Sequence, residues 1–173
     1  MSLTLTVHMV HRKDTGACTA VWISPTEAIS AGHCIHNEKD KLFIKDDTGH
    51  SYIAYLEKVD HQLDLSLLKI NAPEHPYAHL GHVVKRGDHI FVMTSGEDIA
   101  NTYGEGVVAN IFNDPENGTL SILHTAAILP GASGSGLFDS RGRLVGVNTA
   151  IYKNLSSAVD ITAVEDFLNG KHH

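Results

Sequence analysis

Residues 130–137 read PGASGSGL, a run of small residues that ends at an apolar segment. Glycines around a serine allow a tight loop to lift the hydroxyl clear of the backbone and to turn backbone N–H groups toward whatever the hydroxyl attacks. Glycine- and serine-rich turns are also common connectors, so this loop needs support from elsewhere in the chain. Ser133 is the candidate nucleophile. Ser135 is its rival, with a small turn residue as its more typical role.

Candidates for the other parts of a nucleophilic site stand upstream. A serine needs a base to take its proton and a third group to orient that base. His33 ends a strand-like run among small residues, as suits an imidazole at a barrel rim, although a polar loop histidine has the same pattern. Asp64 directly precedes an apolar strand, where a partly buried carboxylate needs a donor such as an imidazole N–H. It could also be a turn residue at a strand start, and Asp60 is a competitor farther from the strand. Backbone N–H groups of Gly131 and Ser133 would stabilise an oxyanion.

Alternation of apolar and polar residues recurs along most of the chain and predicts an all-β barrel or sandwich. The alternating stretches are residues 3–7, 52–56, 65–70, 89–93, 106–112, 119–124 and 143–150. Near the end, Thr162 and Glu165 have the spacing of a capping box and predict a short helix over residues 162–169. We expect one domain, residues 1–173, made of β half-domains of about 1–75 and 85–160.

Composition excludes several functional classes. The formal net charge is −7 with scattered charges, which argues against nucleic acid or an anionic membrane as a partner. No apolar run approaches the ~18 residues that span a bilayer. No signal peptide is expected, because Thr4, Thr6 and His8 interrupt the N-terminal apolar residues, and both a cytoplasmic and a secreted or periplasmic location stay open. The 13 histidines are dispersed without a zinc-binding spacing, so we expect no metal site and no cofactor.

The three motifs, taken in order, resemble those of chymotrypsin-fold serine peptidases. The motifs are SAGHC at 30–34, DLSLL at 64–68 and GASGS at 131–135. An α/β-hydrolase would need the pattern G-x-S-x-G around its nucleophile, and this pattern is absent. It would also need a histidine after the serine, and only the terminal histidines follow Ser133. Residues 125–134, 146–151 and 158–161 are similar to the HtrA-type branch. The resemblance reaches from about residue 16 to 168, and no PDZ domain is recognised after it.

This resemblance implies two six-stranded antiparallel β-barrels with a short C-terminal α-helix. It also implies a serine endopeptidase that acts on polypeptides through an acyl-enzyme, with His33, Asp64 and Ser133 as the catalytic residues and Gly131 and Ser133 as the oxyanion hole. The alternatives are a catalytically silent binding module of the same fold and, more remotely, a metal-dependent hydrolase. The oligomeric state is left open.

The resemblance further implies a primary specificity pocket lined by residues 127–132 and 149–151. Its candidate residues are Ala127, Ile128, Thr149, Ala150 and Ile151. No charged side chain is placed to pair with Lys, Arg or Glu, so the pocket predicts a loose preference for small or aliphatic residues before the cleaved bond.

Two expectations concern cysteines and activation. Cys18 and Cys34 match a disulfide beside the catalytic histidine in the family, with two buried free thiols as the alternative. Ala132 occupies the position where digestive relatives carry an aspartate that receives a new amino terminus. Because alanine has no charge to offer, we expect no trypsin-like zymogen step.

Overall fold

Twelve β-strands, a 3-10 turn and one α-helix make up the regular structure of the described residues in a computed structural model of the protein. The described residues are 4–9, 18–35, 42–95, 99 and 101–171. The strands are β1 (Thr4–Met9), β2 (Cys18–Trp22), β3 (Glu27–Ala31), β4 (Leu42–Lys45), β5 (Ser51–Asp60), β6 (Leu65–Ile70), β7 (His89–Thr94), β8 (Thr102–Asn113), β9 (Leu120–His124), β10 (Gly136–Phe138), β11 (Leu144–Tyr152) and β12 (Leu155–Asp160). The 3-10 turn is Gly32–Cys34 and the helix α1 is Ile161–Leu168. The predicted all-β class and the short terminal helix are confirmed.

The strands form two antiparallel sheets that follow each other in the chain. The first has the order β1-β2-β3-β6-β5-β4 and the second the order β10-β11-β12-β9-β8-β7. Pairing also joins the end strands of each sheet, β1 to β4 and β7 to β10. The predicted strand at residues 3–7 corresponds to β1, and Leu3 lies outside the described residues. No helix among the described residues is long and apolar enough to cross a membrane.

Alternating burial gives each sheet an apolar inner face. In β4 the pattern is buried, exposed, buried, exposed, as a strand with one face toward a core requires. Trp22, Ile44 and Leu68 belong to the core of the first sheet, while Ile122 and Leu137 belong to that of the second. Each sheet therefore has a core of its own.

A third cluster contains residues of both sheets and joins them. Ile29 and Leu65 come from the first sheet, and Phe138 and Val147 come from the second. Phe167 of α1 packs into the same cluster. Strands β3 and β6 are therefore held against β10 and β11, and the loops that leave these strands meet at the junction of the sheets.

The start of α1 differs from the prediction. Asp160, and not Thr162, is the N-cap, because β12 runs up to Asp160 and turns into the helix with no intervening loop. Its carboxylate accepts the backbone N–H of Thr162 at 2.9 Å. A carboxylate at the helix N-terminus also interacts favourably with the helix dipole. The predicted capping box is therefore wrong, although the helix itself lies within one residue of its predicted range.

Candidate active site

The side chains of Asp64, His33 and Ser133 form one hydrogen-bonded chain where the two sheets meet. His33 Nδ1 lies 2.8 Å from Asp64 Oδ2, and His33 Nε2 lies 3.0 Å from Ser133 Oγ. The other carboxylate oxygen of Asp64 accepts the backbone N–H of His33 at 2.7 Å. An ionised carboxylate can only accept, so Nδ1 donates its proton to Asp64. Nε2 is then the ring atom with a lone pair, and it faces the serine hydroxyl.

The first sheet supplies the acid and the imidazole from neighbouring strand ends. β3 and β6 pair in register, with Ala31 opposite Leu65. His33 lies in the 3-10 turn that follows β3, and Asp64 directly precedes β6. Two residues that are 31 positions apart in sequence therefore emerge side by side.

The structure separates Asp64 from its competitor Asp60. Asp60 Oδ1 accepts the backbone N–H groups of Gln62 and Leu63, at 3.0 and 2.9 Å, so its carboxylate holds the turn between β5 and β6. Asp64 has φ 60°, in the left-handed region that an aspartate tolerates better than most residues. Of the two carboxylates, the one of Asp64 contacts the imidazole.

The carboxylate changes the basicity of the ring. The hydrogen bond to Asp64 raises the pKa of His33 above its ordinary value of 6.5, and the negative charge of Asp64 adds to this effect. Partial burial acts in the opposite direction, because it disfavours the charged imidazolium. The side chain of His33 is 50% exposed, so the ring is also open to the solvent. Asp64 thus stabilises the protonated form of His33, which makes the ring a stronger base.

The serine loop presents two backbone N–H groups beside the hydroxyl. The N–H of Ala132 donates to Leu129 O at 3.0 Å, and Gly131 has φ 92°. Proline cannot adopt a positive φ, so Pro130 and Gly131 form the centre of a type II turn, which favours glycine at its third position. The N–H groups of Gly131 and Ser133 make no hydrogen bond within the described part of the chain. They are available to a ligand oxygen.

Ser135, the rival nucleophile, lies in the interior. It is fully buried, and its hydroxyl accepts an N–H of the Asn148 side chain at 3.0 Å. The other end of that amide, Asn148 Oδ1, lies 2.6 Å from His124 Nε2. Burial lowers the pKa of His124, although its hydrogen bond to Asn148 acts in the opposite direction. The imidazole is thus a neutral donor to Asn148.

Sequence reasoning missed this polar chain of His124, Asn148 and Ser135. Both His124 and Asn148 are buried polar residues of strands, and a polar residue within a strand-like run is the one signal that could have revealed them. A polar side chain at an inward position needs a partner, but the sequence does not say which one.

A cavity of about 370 Å³ opens beside Ser133. It is lined by residues 128–133 and 148–151, and the described residues that line it carry no charged side chain. Ile128, Thr149, Ala150 and Ile151 belong to this lining. Ala127 does not belong to it, and its place in the specificity pocket stays a prediction. Its side chain is exposed, whereas that of its neighbour Ala126 is buried.

The cysteines flank the same region. Cys18 and Cys34 form a disulfide with a Cα–Cα distance of 6.3 Å, and no cysteine is free in the chain as described. The bond joins the first residue of β2 to the residue after His33. No group of three or more potential metal ligands occurs among the described residues.

Comparison with known proteins places this geometry in context. The family described as "Trypsin-like peptidase domain" matches residues 18–147. A "Probable periplasmic serine endoprotease DegP-like" of Brucella suis is 26% identical over 157 residues, which cover 87% of this chain and 31% of that protein. "Serine protease HTRA4" of Mus musculus is 27% identical over 154 residues, covering 83% of this chain and 32% of its own length. The chain therefore spans about a third of these curated relatives.

Solved structures share the fold. An HtrA-type protease, AlgW, solved with a tripeptide, superposes with a TM-score of 0.86 and 21% identity, over 97% of this chain and 59% of its own. Its S227A variant, solved with a decapeptide, has a TM-score of 0.82 and 20% identity, over 96% of this chain and 61% of its own. This likeness supports a chymotrypsin-like arrangement.

Proposed function

The chain belongs to the family of trypsin-like peptidase domains, and on this premise we propose that it is a serine endopeptidase that uses His33, Asp64 and Ser133. One observation carries the proposal: a carboxylate, an imidazole and a hydroxyl are joined by hydrogen bonds of 2.8 and 3.0 Å. The hydroxyl-bearing residue, Ser133, also lines a largely apolar cavity. Relatives named as serine proteases support the same reading.

The reaction would begin with attack by Ser133 Oγ on the carbonyl carbon of the scissile peptide bond. His33 Nε2 takes the hydroxyl proton as the C–O bond forms, and Asp64 stabilises the resulting imidazolium. The carbonyl oxygen becomes an oxyanion, which the free N–H groups of Gly131 and Ser133 would receive. When the C–N bond breaks, the imidazolium returns the proton to the leaving amine.

A second half-reaction would regenerate the enzyme. The first half leaves an acyl ester on Ser133, and His33 is again neutral. The imidazole then takes a proton from water while the water oxygen attacks the ester carbonyl. Collapse of the second tetrahedral intermediate returns the proton to Ser133 Oγ and releases the carboxylic acid product.

The cavity beside Ser133 would receive the side chain that precedes the cleaved bond. Ile128, Ala150 and Ile151 line it, so a small or aliphatic side chain would bury apolar surface there. No described lining residue offers an ion pair to a basic or acidic side chain. Discrimination among aliphatic residues is then worth about 1–3 kcal/mol per methylene, which favours a broad preference. The peptides bound to AlgW are consistent with a polypeptide substrate.

We also propose that no trypsin-style activation operates. Ala132 is 2% exposed and directly precedes Ser133, and its methyl group cannot form an ion pair with a new amino terminus. A trimmed and an extended N-terminus should therefore give the same activity. A large gain of activity on trimming would contradict this.

Labelling of the nucleophile tests the proposed function. A fluorophosphonate probe should modify the wild-type protein and the Ser140→Ala variant but fail to modify Ser133→Ala. Ser140 is a suitable control because it is an exposed serine in the turn after β10. Wild type and Ser140→Ala should also cleave unfolded casein, and Ser133→Ala should not.

Cleavage sites in a peptide library should show small or aliphatic residues before the cut bond. A profile dominated by Lys, Arg or Glu would contradict the assigned pocket. No labelling and no cleavage would instead favour a catalytically silent binding module.

A further inference from the structure

Thr19 belongs to the first sheet, but its polar contacts reach the serine loop of the second. It is fully buried in β2. Its backbone N–H donates to Ser133 O at 2.9 Å, and its hydroxyl donates to Gly131 O at 2.7 Å. The hydroxyl oxygen also accepts the backbone N–H of Ser95 at 3.1 Å. One residue therefore contacts both ends of the segment 131–133.

The hydroxyl hydrogen has one preferred acceptor. Ser95 O lies 3.2 Å from Thr19 Oγ1, which is longer than the distance to Gly131 O. The N–H of Ser95 already occupies a lone pair of the same hydroxyl. A hydrogen bond from Thr19 to Gly131 thus completes the pairing of a hydroxyl that would be costly to bury without a partner.

The position of the Gly131 carbonyl matters because a peptide unit is planar. The unit that holds Gly131 O also holds the N–H of Ala132, which donates to Leu129 O. Thr19 binds one edge of this plane and Leu129 binds the other. The N–H of Gly131 lies in the preceding peptide unit and meets this plane at the Gly131 Cα. Because glycine rotates more freely there than any other residue, anchoring the plane restricts the rotation that sets the direction of this N–H.

Packing at Gly134, the residue after Ser133, reinforces the contact between Thr19 and the serine loop. A Cβ atom on Gly134 would overlap the carbonyl oxygen of Thr19, so the serine loop lies directly against the backbone of β2. Cys18, the residue before Thr19, is joined by the disulfide to Cys34, which directly follows His33. The segment 18–19 therefore contacts both the turn that carries the base and the loop that carries the nucleophile.

We propose that Thr19 is a positioning residue for oxyanion stabilisation, since its hydroxyl anchors the peptide unit that lies between the N–H groups of Gly131 and Ser133 and so restricts the orientation of both. The proposal rests on the proposed peptidase function. Thr19 touches no reacting atom. It acts through the Gly131 carbonyl, and its contribution should appear in the transition state more than in substrate binding.

Steady-state kinetics on a peptide substrate with an aliphatic residue before the cleaved bond test this. Thr19→Val keeps the shape of the side chain and removes the donor, and Thr19→Ser keeps the donor. Loss of a whole oxyanion donor costs about 10²–10³-fold in kcat, so misorientation should cost about 10–100-fold. We expect that loss in Thr19→Val with KM changed less than about 3-fold, and recovery in Thr19→Ser. Thr26→Val, at the far end of the same hairpin, should behave as wild type.

Inhibitor binding separates positioning from general disruption. A peptide aldehyde forms a tetrahedral adduct with an oxyanion, whereas the corresponding peptide alcohol does not. Thr19→Val should weaken the aldehyde by the same factor as kcat/KM and leave the alcohol unchanged. Equal weakening of both, an unchanged kcat, or no recovery in Thr19→Ser would overturn the proposal.

Two further results are decisive. If Thr19→Val does not fold, Thr19→Ala takes its place under the same criteria, and failure of both to fold would assign Thr19 a purely structural role. A wild-type protein without hydrolysis or labelling would refute the proposed function itself, independently of the behaviour of Thr19.

Discussion

Removal of the Cys18–Cys34 disulfide should lower the stability of the protein by an amount that its loop length sets. The two cysteines are 16 residues apart in sequence. In the chain-entropy treatment, a cross-link that closes a loop of this size removes unfolded-state entropy worth about 3 kcal/mol at 25 °C. For a chain of 173 residues the entropy of unfolding near 60 °C is about 0.36 kcal/mol/K. The ratio of these quantities predicts that Tm falls by about 8 °C.

The assay is thermal unfolding, followed by circular dichroism, of wild type and of the double variant Cys18→Ser/Cys34→Ser. Reductant should lower the Tm of wild type toward that of the variant and leave the variant unchanged. Both should retain the fold at 25 °C, because a loss of about 3 kcal/mol is smaller than the stability of a typical domain, roughly 5–15 kcal/mol. A Tm difference below about 2 °C would refute the loop-entropy argument. So would an equal response of both proteins to reductant.

Three further predictions follow from the contacts of the site. Hydrolysis should increase with pH as His33 loses its proton, and the midpoint should lie above 6.5 because the hydrogen bond to Asp64 raises the pKa of His33. In pH–rate profiles, Asp64→Asn should show a lower midpoint and a kcat reduced on the order of 10⁴-fold. Gly134→Ala should abolish fluorophosphonate labelling and lower the unfolding free energy by about 3 kcal/mol or more, since the new methyl group would overlap Thr19 and Gly134 has φ 89°. Urea unfolding measures the change in free energy, and labelling of the variant at the wild-type level would contradict the prediction. The stability that neutral His124 contributes is complete above pH 6.5 and lost as the pH falls toward its lowered pKa, so the Tm of His124→Gln should depend less on pH between 7.5 and 5 than that of wild type.

Much of the secondary structure and the residues of the proposed triad could be predicted from the sequence, because both depend on local patterns. Alternation in residues 65–70 predicts the strand that the structure has as β6. The spacing of His33, Asp64 and Ser133 along the chain matches a known order, and the chemistry of a base, an acid and a hydroxyl follows from the residue types. The glycine before Ala132 similarly indicates a turn that needs a positive φ.

Local patterns failed where two candidates lay close together in sequence. Thr162 has the spacing of an N-cap, but Asp160 occupies the cap because β12 ends there. The choice depends on where a strand ends, and a shift of one or two residues reverses the answer.

The sequence by itself determined which residue types could do chemistry and which segments would be strands. Only the tertiary structure decided that His33 Nε2 stands 3.0 Å from a hydroxyl 100 residues away, and that a buried threonine of the first sheet bonds to the serine loop of the second. The physical reason is that periodicity identifies the face a side chain occupies, whereas its partner depends on how two sheets pack. That packing comes from the shared apolar cluster at their junction, to which both sheets and the helix contribute.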